Sequence, residues 1–257
     1  MTANNIASES GHYYWPDASP AYEIENKSKP GTFRATTLRD CRKMGLVPSV
    51  TTVLQVVAKP GLERWKQTQL LQSALTLPMI AGESIDDYAE RIIRDSQEQA
   101  ATARDLGTEI HGAIERHFLG KPHDHAGKVA CAIGELPPGQ EWSAEKSFAC
   151  WLGYGGKCDL HSSGWVIDFK TKADDDLGDL KTWDEHHMQL AAYRYGLGVE
   201  KARCAIVYVS TTADAARLIE LTDGELVRGW EMFNHALALW KATKKYYCGQ
   251  EPGRIAA

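Results

Sequence analysis

The stretch GYGGKCDLHSSGWVIDFKTK, residues 153–172, carries one acid, Asp159, then a second, Asp168, with Lys170 two positions beyond it. Its apolar runs read as two short strands joined by a turn at Ser162-Ser163-Gly164. Side chains alternate along a strand, so Val166, Asp168 and Lys170 face one way and Ile167 and Phe169 the other. Two carboxylates and an amine then meet at one end of a hairpin. That set suits a divalent cation acting on a phosphate ester.

Acid-x-Lys alone is weak evidence, since chance supplies about two such triplets in a chain of this composition. Three occur: Glu25-Asn26-Lys27, Asp168-Phe169-Lys170 and Asp179-Leu180-Lys181. Only the second is flanked by apolar strand residues (Trp165, Val166, Ile167), where unpaired charge is costly. The plainer alternative is a water-facing Asp/Lys pair on an antiparallel sheet. Asp159 tips the balance, because acids on neighbouring strands repel unless a cation lies between them. Gly153, Gly155 and Gly156 leave room for a backbone or ligand to approach.

The elements that must position these groups follow from periodicity and caps. Residues 1 to about 50 read as irregular with short extended pieces, and 34–43 hold a basic cluster, Arg34, Arg39, Arg42 and Lys43. A helix starts after Ser49 or Thr51, and another at Pro60-Gly61. A long amphipathic helix is expected over Glu83 to about Arg104, and a separate one over Thr108–Leu119. After Gly139 come strands at 144–150, 156–161 and 164–171, a helix over 185–197, and strands at 203–210 and 216–221. The last helix spans Asp223 to about Tyr247, with Asp223 as its cap. This order predicts an α/β fold: a mixed central sheet flanked by helices, in one domain. Residues 1–105 form a mostly helical N-terminal elaboration and 106–257 the core.

At 43% hydrophobic and 25% charged the 257-residue chain has an ordinary globular composition, with no run of about 20 apolar residues to span a bilayer. The opening MTANNIASES has neither the basic nor the apolar region of a secretion signal, so a cytoplasmic location is expected. Six cysteines (41, 131, 150, 158, 204, 248) lack C-x-x-C spacing and read as reduced thiols, without zinc or an iron–sulfur cluster. The net charge of −5 gives no global pull on nucleic acid, so a polyanion needs local basic patches and a metal.

Asp159 with Asp168-Phe169-Lys170 resembles the two-part signature of the PD-(D/E)XK nucleases. Two helical pieces are similar to the RecB-like exonuclease branch: Gly107-Thr108-Glu109-Ile110-His111-Gly112-Ala113-Ile114-Glu115, and Gln189-Leu190-Ala191-Ala192-Tyr193. The lead-in PSVTTVLQVVAKPGLERWK resembles that of many bacteriophage members, so the resemblance spans about residues 48–197. It implies a restriction-endonuclease-like core and metal-assisted phosphodiester hydrolysis at DNA ends, in phage recombination, replication or repair. Asp159, Asp168, His111 and the Phe169 carbonyl would hold Mg²⁺ (or Mn²⁺), and Lys170 would serve the attacking water. Glu115 is either a partner orienting His111 or a ligand. Glu145 either joins the acidic cluster or pairs with Lys146. Gln189 and Tyr193 would meet nucleic acid or the Lys170 region, and Arg34, Arg39, Lys241, Lys244 and Lys245 would contact its backbone. A homo-oligomer or a recombination partner protein is compatible with the family. Rival readings are a structure-specific endonuclease with the same site, and a non-cleaving DNA-binding subunit of a repair or CRISPR-adaptation complex.

Other features take blander readings. His186 and His187 diverge by about 100° on a helix, so one faces in and one out. Asp174-Asp175-Asp176 reads as a solvated loop, His123 and His125 lie in a polar loop, and Trp15, Trp65 or Trp183 would stack on bases if exposed.

Overall fold

The computed structural model describes residues 11–175 and 177–248. Its centre is a five-stranded sheet of β5 (Ser143–Cys150), β6 (Tyr154–His161), β7 (Trp165–Lys172), β8 (Arg203–Ser210) and β9 (Ala216–Glu220), adjacent in that order. Neighbours are antiparallel except β7 and β8, which run parallel. A parallel pair needs a crossover, and α6 (Asp184–Gly196) supplies it. The sheet is therefore mixed and flanked by helices, as expected.

Alternation along the central strands divides the interior in two. Val166, Cys204, Ile206 and Tyr208 pack with Leu190 of α6 and with Phe233 and Trp240 of α7 (Asp223–Lys244). Ile167, Phe169, Val207 and Val209 pack instead with Ile110 and Ile114 of α4 (Ile85–Phe118) and Val129 of α5 (Ala126–Gly134). Each central strand is apolar on both faces because both faces are covered.

Two helical expectations change. The helices expected over 83–104 and 108–119 are one, α4, which runs straight through Gly107. A Cβ at Gly107 would lie 2.8 Å from the Thr171 hydroxyl, so the missing side chain lets α4 close on the end of β7. The cap of α7 is Thr222, not Asp223. Its hydroxyl accepts from Glu225 N, and Glu225 in turn accepts from Thr222 N, 2.7 Å away.

Residues 11–57 are more ordered than their sequence suggests. β1 (Tyr13–Tyr14) pairs with β4 (Val47–Pro48), and β2 (Glu23–Glu25) with β3 (Phe33–Ala35). α1 (Leu38–Met44) starts from a Thr37/Asp40 capping box, and α2 (Val50–Val53) is capped by Ser49. Tyr13, Tyr14, Cys41, Leu46 and Val50 all join the core shared with α6 and α7. α3 (Pro60–Thr76) packs on α4 as a helical hairpin.

The close approach at Gly155 serves packing. A Cβ there would meet the Phe148 carbonyl at 2.8 Å and the Tyr14 ring at 3.1 Å. Gly155→Ala is predicted to lower unfolding free energy by about 1–3 kcal/mol through overpacking. Urea denaturation checks this, and an unchanged midpoint would remove Gly155 from the packing account. No helix among the described residues is long and apolar enough to cross a membrane.

Candidate active site

β6 and β7 pair in register at Leu160–Ile167 and His161–Val166, then separate. On β6 the facing pattern changes phase across this point, for Cys158 lies in one core and Leu160 in the other. The neighbouring strand is irregular at the same level, where Glu145 has φ +54°. Asp159 thus sits in a fork, and its Oδ2 accepts from the Phe169 backbone N–H at 2.9 Å.

Across the fork Asp168 is almost wholly enclosed. Its Oδ2 meets Lys170 Nζ at 2.6 Å, and its Oδ1 accepts from Gln189 Nε2 at 3.0 Å. Gln189 Oε1 accepts from Lys170 at 3.4 Å, and its amide also bonds the Tyr193 hydroxyl at 3.0 Å. Gln189 and Tyr193, one turn apart on α6, are therefore second partners of the acid and the lysine. From the opposite side of the sheet, α4 brings His111 Nδ1 to 3.7 Å from Asp159 Oδ2. The His111 ring also stands edge-on to the Phe169 side chain, with ring centroids 6.4 Å apart. Helices from both faces of the sheet meet where its strands part.

A cleft of about 560 Å³ opens over this fork, lined by His111, Glu115, Glu145, Asp159, Phe169 and Lys170 among others. A larger cleft, about 870 Å³, lies elsewhere, where Val57, Leu62, Met188 and Leu239 make it mostly apolar. Volume alone would point away from the reactive groups.

Electrostatics single out Asp159. Burial first, then the charge of Asp168, raise its carboxyl to about 8, against the pull of Lys170. Burial opposes the charge on Lys170, but Asp168 and Asp159 outweigh it and lift the amine above its ordinary value. Burial, aided by Lys170, lowers the His111 imidazole and keeps it neutral and able to ligate. Burial also raises the Tyr193 hydroxyl, so that group stays protonated. The site is short of positive charge on the Asp159 side.

Among the described residues no three His, Cys, Asp or Glu side chains are gathered as a ready-made metal cage. The donor set still fits a hard divalent cation: a poorly compensated carboxylate at Asp159, Asp168 beside it, and a neutral imidazole. In this arrangement Lys170 and Gln189 occupy the oxygens of Asp168.

The other expected residues divide. Glu115 lines the cleft, and Glu145 ion-pairs with Lys157 rather than Lys146. Lys157 escaped the sequence reading, although it lies two positions before Asp159 and lines the same cleft. Arg34 and Arg39 line a separate cleft, where Arg34 is held by Asp40 at 2.7 Å. Lys241 is a correction: it is buried in the α7 interface and donates to the Leu152 carbonyl at 2.7 Å. His187 faces in and bonds Thr182. His186 borders the lysine, and burial followed by the Lys170 charge lowers it to about 4. Asp174 pairs with Lys172 and Asp175 bonds Thr212, while Asp176 lies outside the described residues. Trp15, Trp65 and Trp183 are exposed, and the cysteines are free thiols.

No family model matches the chain, and no curated protein matches it. Among solved structures, a candidate exonuclease from Eubacterium rectale is similar at 15% identity and TM-score 0.40, over 55% of this chain and 68% of that one. A protein designated SSO0001 is similar at 18% identity and TM-score 0.31, over 70% and 87%.

Proposed function

We propose that this chain is a divalent-cation-dependent nuclease of the RecB-like kind, hydrolysing phosphodiester bonds at DNA ends. The observation that carries the reading is the fork: Asp159 and Lys170 line one cleft, Asp168 is buried against Lys170, and Gln189 and His111 reach them from opposite faces of the sheet. Asp159, Asp168, His111 and the Phe169 carbonyl would hold Mg²⁺ or Mn²⁺, with Glu115 at the rim. When bound, the cation polarises the scissile phosphate and lowers the pKa of a coordinated water.

The residues of the chain do the rest. Lys170 carries a full charge against the reacting phosphate and orients the attacking water. Gln189 fixes Lys170 and Asp168 in one geometry, because its carbonyl oxygen and its amide each hold one of them. Tyr193 anchors that amide. The surrounding core excludes water on the sheet side, which strengthens each of these contacts.

Purified protein with Mg²⁺ is expected to release nucleotides from end-labelled linear DNA and to leave a closed circle intact. Nicking of the circle would replace the exonuclease with an endonuclease using the same site. Binding without cleavage would make the chain a non-cleaving subunit.

A further inference from the structure

Four basic side chains, Lys27, Arg34, Arg39 and Lys43, line a cleft of about 510 Å³ between the β2–β3 hairpin and α1. The acid there, Asp40, is already committed. It takes Arg34 through two contacts of 2.7 and 2.9 Å and the Thr37 hydroxyl at 2.6 Å, and it accepts from Thr37 N at 3.1 Å. Lys27, Arg39 and Lys43 remain, and among the described residues none of them forms an ion pair.

These three face one another. All three line the same cleft, Lys27 from the turn after β2 and Arg39 and Lys43 from α1. The neighbouring Lys27 pushes the Lys43 amine below its ordinary value. Converging like charges on a chain of net charge −5 are relieved by an anion placed among them. Phosphate oxygens suit the set, since a guanidinium offers paired donors and the ammoniums act as point charges.

The cluster is joined to the catalytic cleft through Tyr22. Its carbonyl accepts from Thr36 N at 2.8 Å, next to Thr37 of the basic cleft. Its hydroxyl bonds that of Tyr14 at 2.6 Å, and the Tyr14 ring packs on Gly155 of β6, the strand that carries Lys157 and Asp159. We infer that Lys27, Arg39 and Lys43 form a phosphate-binding site that holds the backbone of a nucleic acid whose reacting bond lies in the catalytic cleft. The inference rests on the nuclease reading for the identity of the ligand.

The test compares the full chain with the exposed triple variant Lys27→Gln, Arg39→Gln, Lys43→Gln. A second triple, Arg94→Gln, Lys121→Gln, Lys201→Gln, makes the same change in net charge at exposed positions outside the hairpin and α1. Fluorescence anisotropy with a labelled 30-base-pair duplex in EDTA measures affinity across salt concentrations. The cluster variant is expected to lose affinity about tenfold at 0.15 M salt, and its log–log salt slope to fall by about 2–3, near 0.9 per lost phosphate contact. Its cleavage with Mg²⁺ should show a raised KM and a kcat within about twofold of the parent. Equal losses in both triples, or an unchanged slope in the first, would overturn the site. Absent cleavage with cluster-dependent binding would overturn the nuclease reading alone; cleavage with cluster-independent affinity would overturn this site alone.

Discussion

Lys170→Ala lowers Mg²⁺-dependent DNA cleavage by about two to three orders of magnitude, the usual cost of removing one preorganised charge from a reacting phosphate or oxyanion. The expectation follows from where the amine is held. Lys170 Nζ touches Asp168 at 2.6 Å and Gln189 at 3.4 Å, at the edge of the cleft, so its position is fixed before substrate arrives. The same contact makes the substitution costly to the fold. Asp168 is 3% exposed, and losing its cation leaves a buried carboxylate with Gln189 as its remaining side-chain partner. Breaking one side of such a pair costs about 3–5 kcal/mol. Activity and stability must therefore be separated, and Lys170→Arg does so. It keeps the charge beside Asp168 but places a planar fork where a compact ammonium stood. Melting by circular dichroism should show Lys170→Arg well above Lys170→Ala, while single-turnover cleavage of end-labelled duplex stays low in both. Full activity in folded Lys170→Ala would sink the proposed mechanism.

How much of this was legible depends on whether the cause was local. β7 and β8 are apolar on both faces, so their extents could be read within a residue or two. Period two placed Asp168 and Lys170 together, and period 3.6 placed Gln189 with Tyr193. The fork could not be read. It arises where β6 leaves β7 and the neighbouring Glu145 turns to φ +54°, a tertiary event with no sequence marker of its own. Gly107 reads as a break between two helices because glycine disfavours helix interiors, yet its contact with Thr171 rewards the missing side chain. α1 did carry its signals, Thr37 before it with Asp40 in its first turn, and Gly45 at φ +69° after it. α5 did not: it begins at His125 in a left-handed conformation, with no side-chain cap. Lys241 lies four residues after Leu237 on the buried stripe of α7, so the period that placed the core also placed the lysine. Counting it as a surface cation ignored that period.

In EDTA, Asp159→Asn is more stable than the parent, and the gap widens as pH rises from about 4 towards 8. The parent carboxyl stands near 8 when folded, against an ordinary value of 3.8. Between those values the folded chain holds a proton that the unfolded chain has released. Folding is therefore favoured at the acidic end of the window and weakened as pH rises through it. Each pH unit contributes about 1.4 kcal/mol, so a few kcal/mol accumulate before the curve flattens above the folded value. Asparagine removes the titration while keeping an oxygen for the Phe169 N–H that Asp159 now holds at 2.9 Å. The origin of the penalty also says what relieves it. The raised carboxyl reflects burial and the charge of Asp168, both of which a divalent cation offsets. Added Mg²⁺ should thus stabilise the parent at pH 8, do little at pH 5, and leave Asp159→Asn nearly unmoved. Urea unfolding at three pH values, with EDTA or Mg²⁺, measures all of this without reference to cleavage. Parallel pH curves for the two proteins would mean that Asp159 is adequately compensated by the fold alone. The case for a cation in the fork would then lose its physical basis.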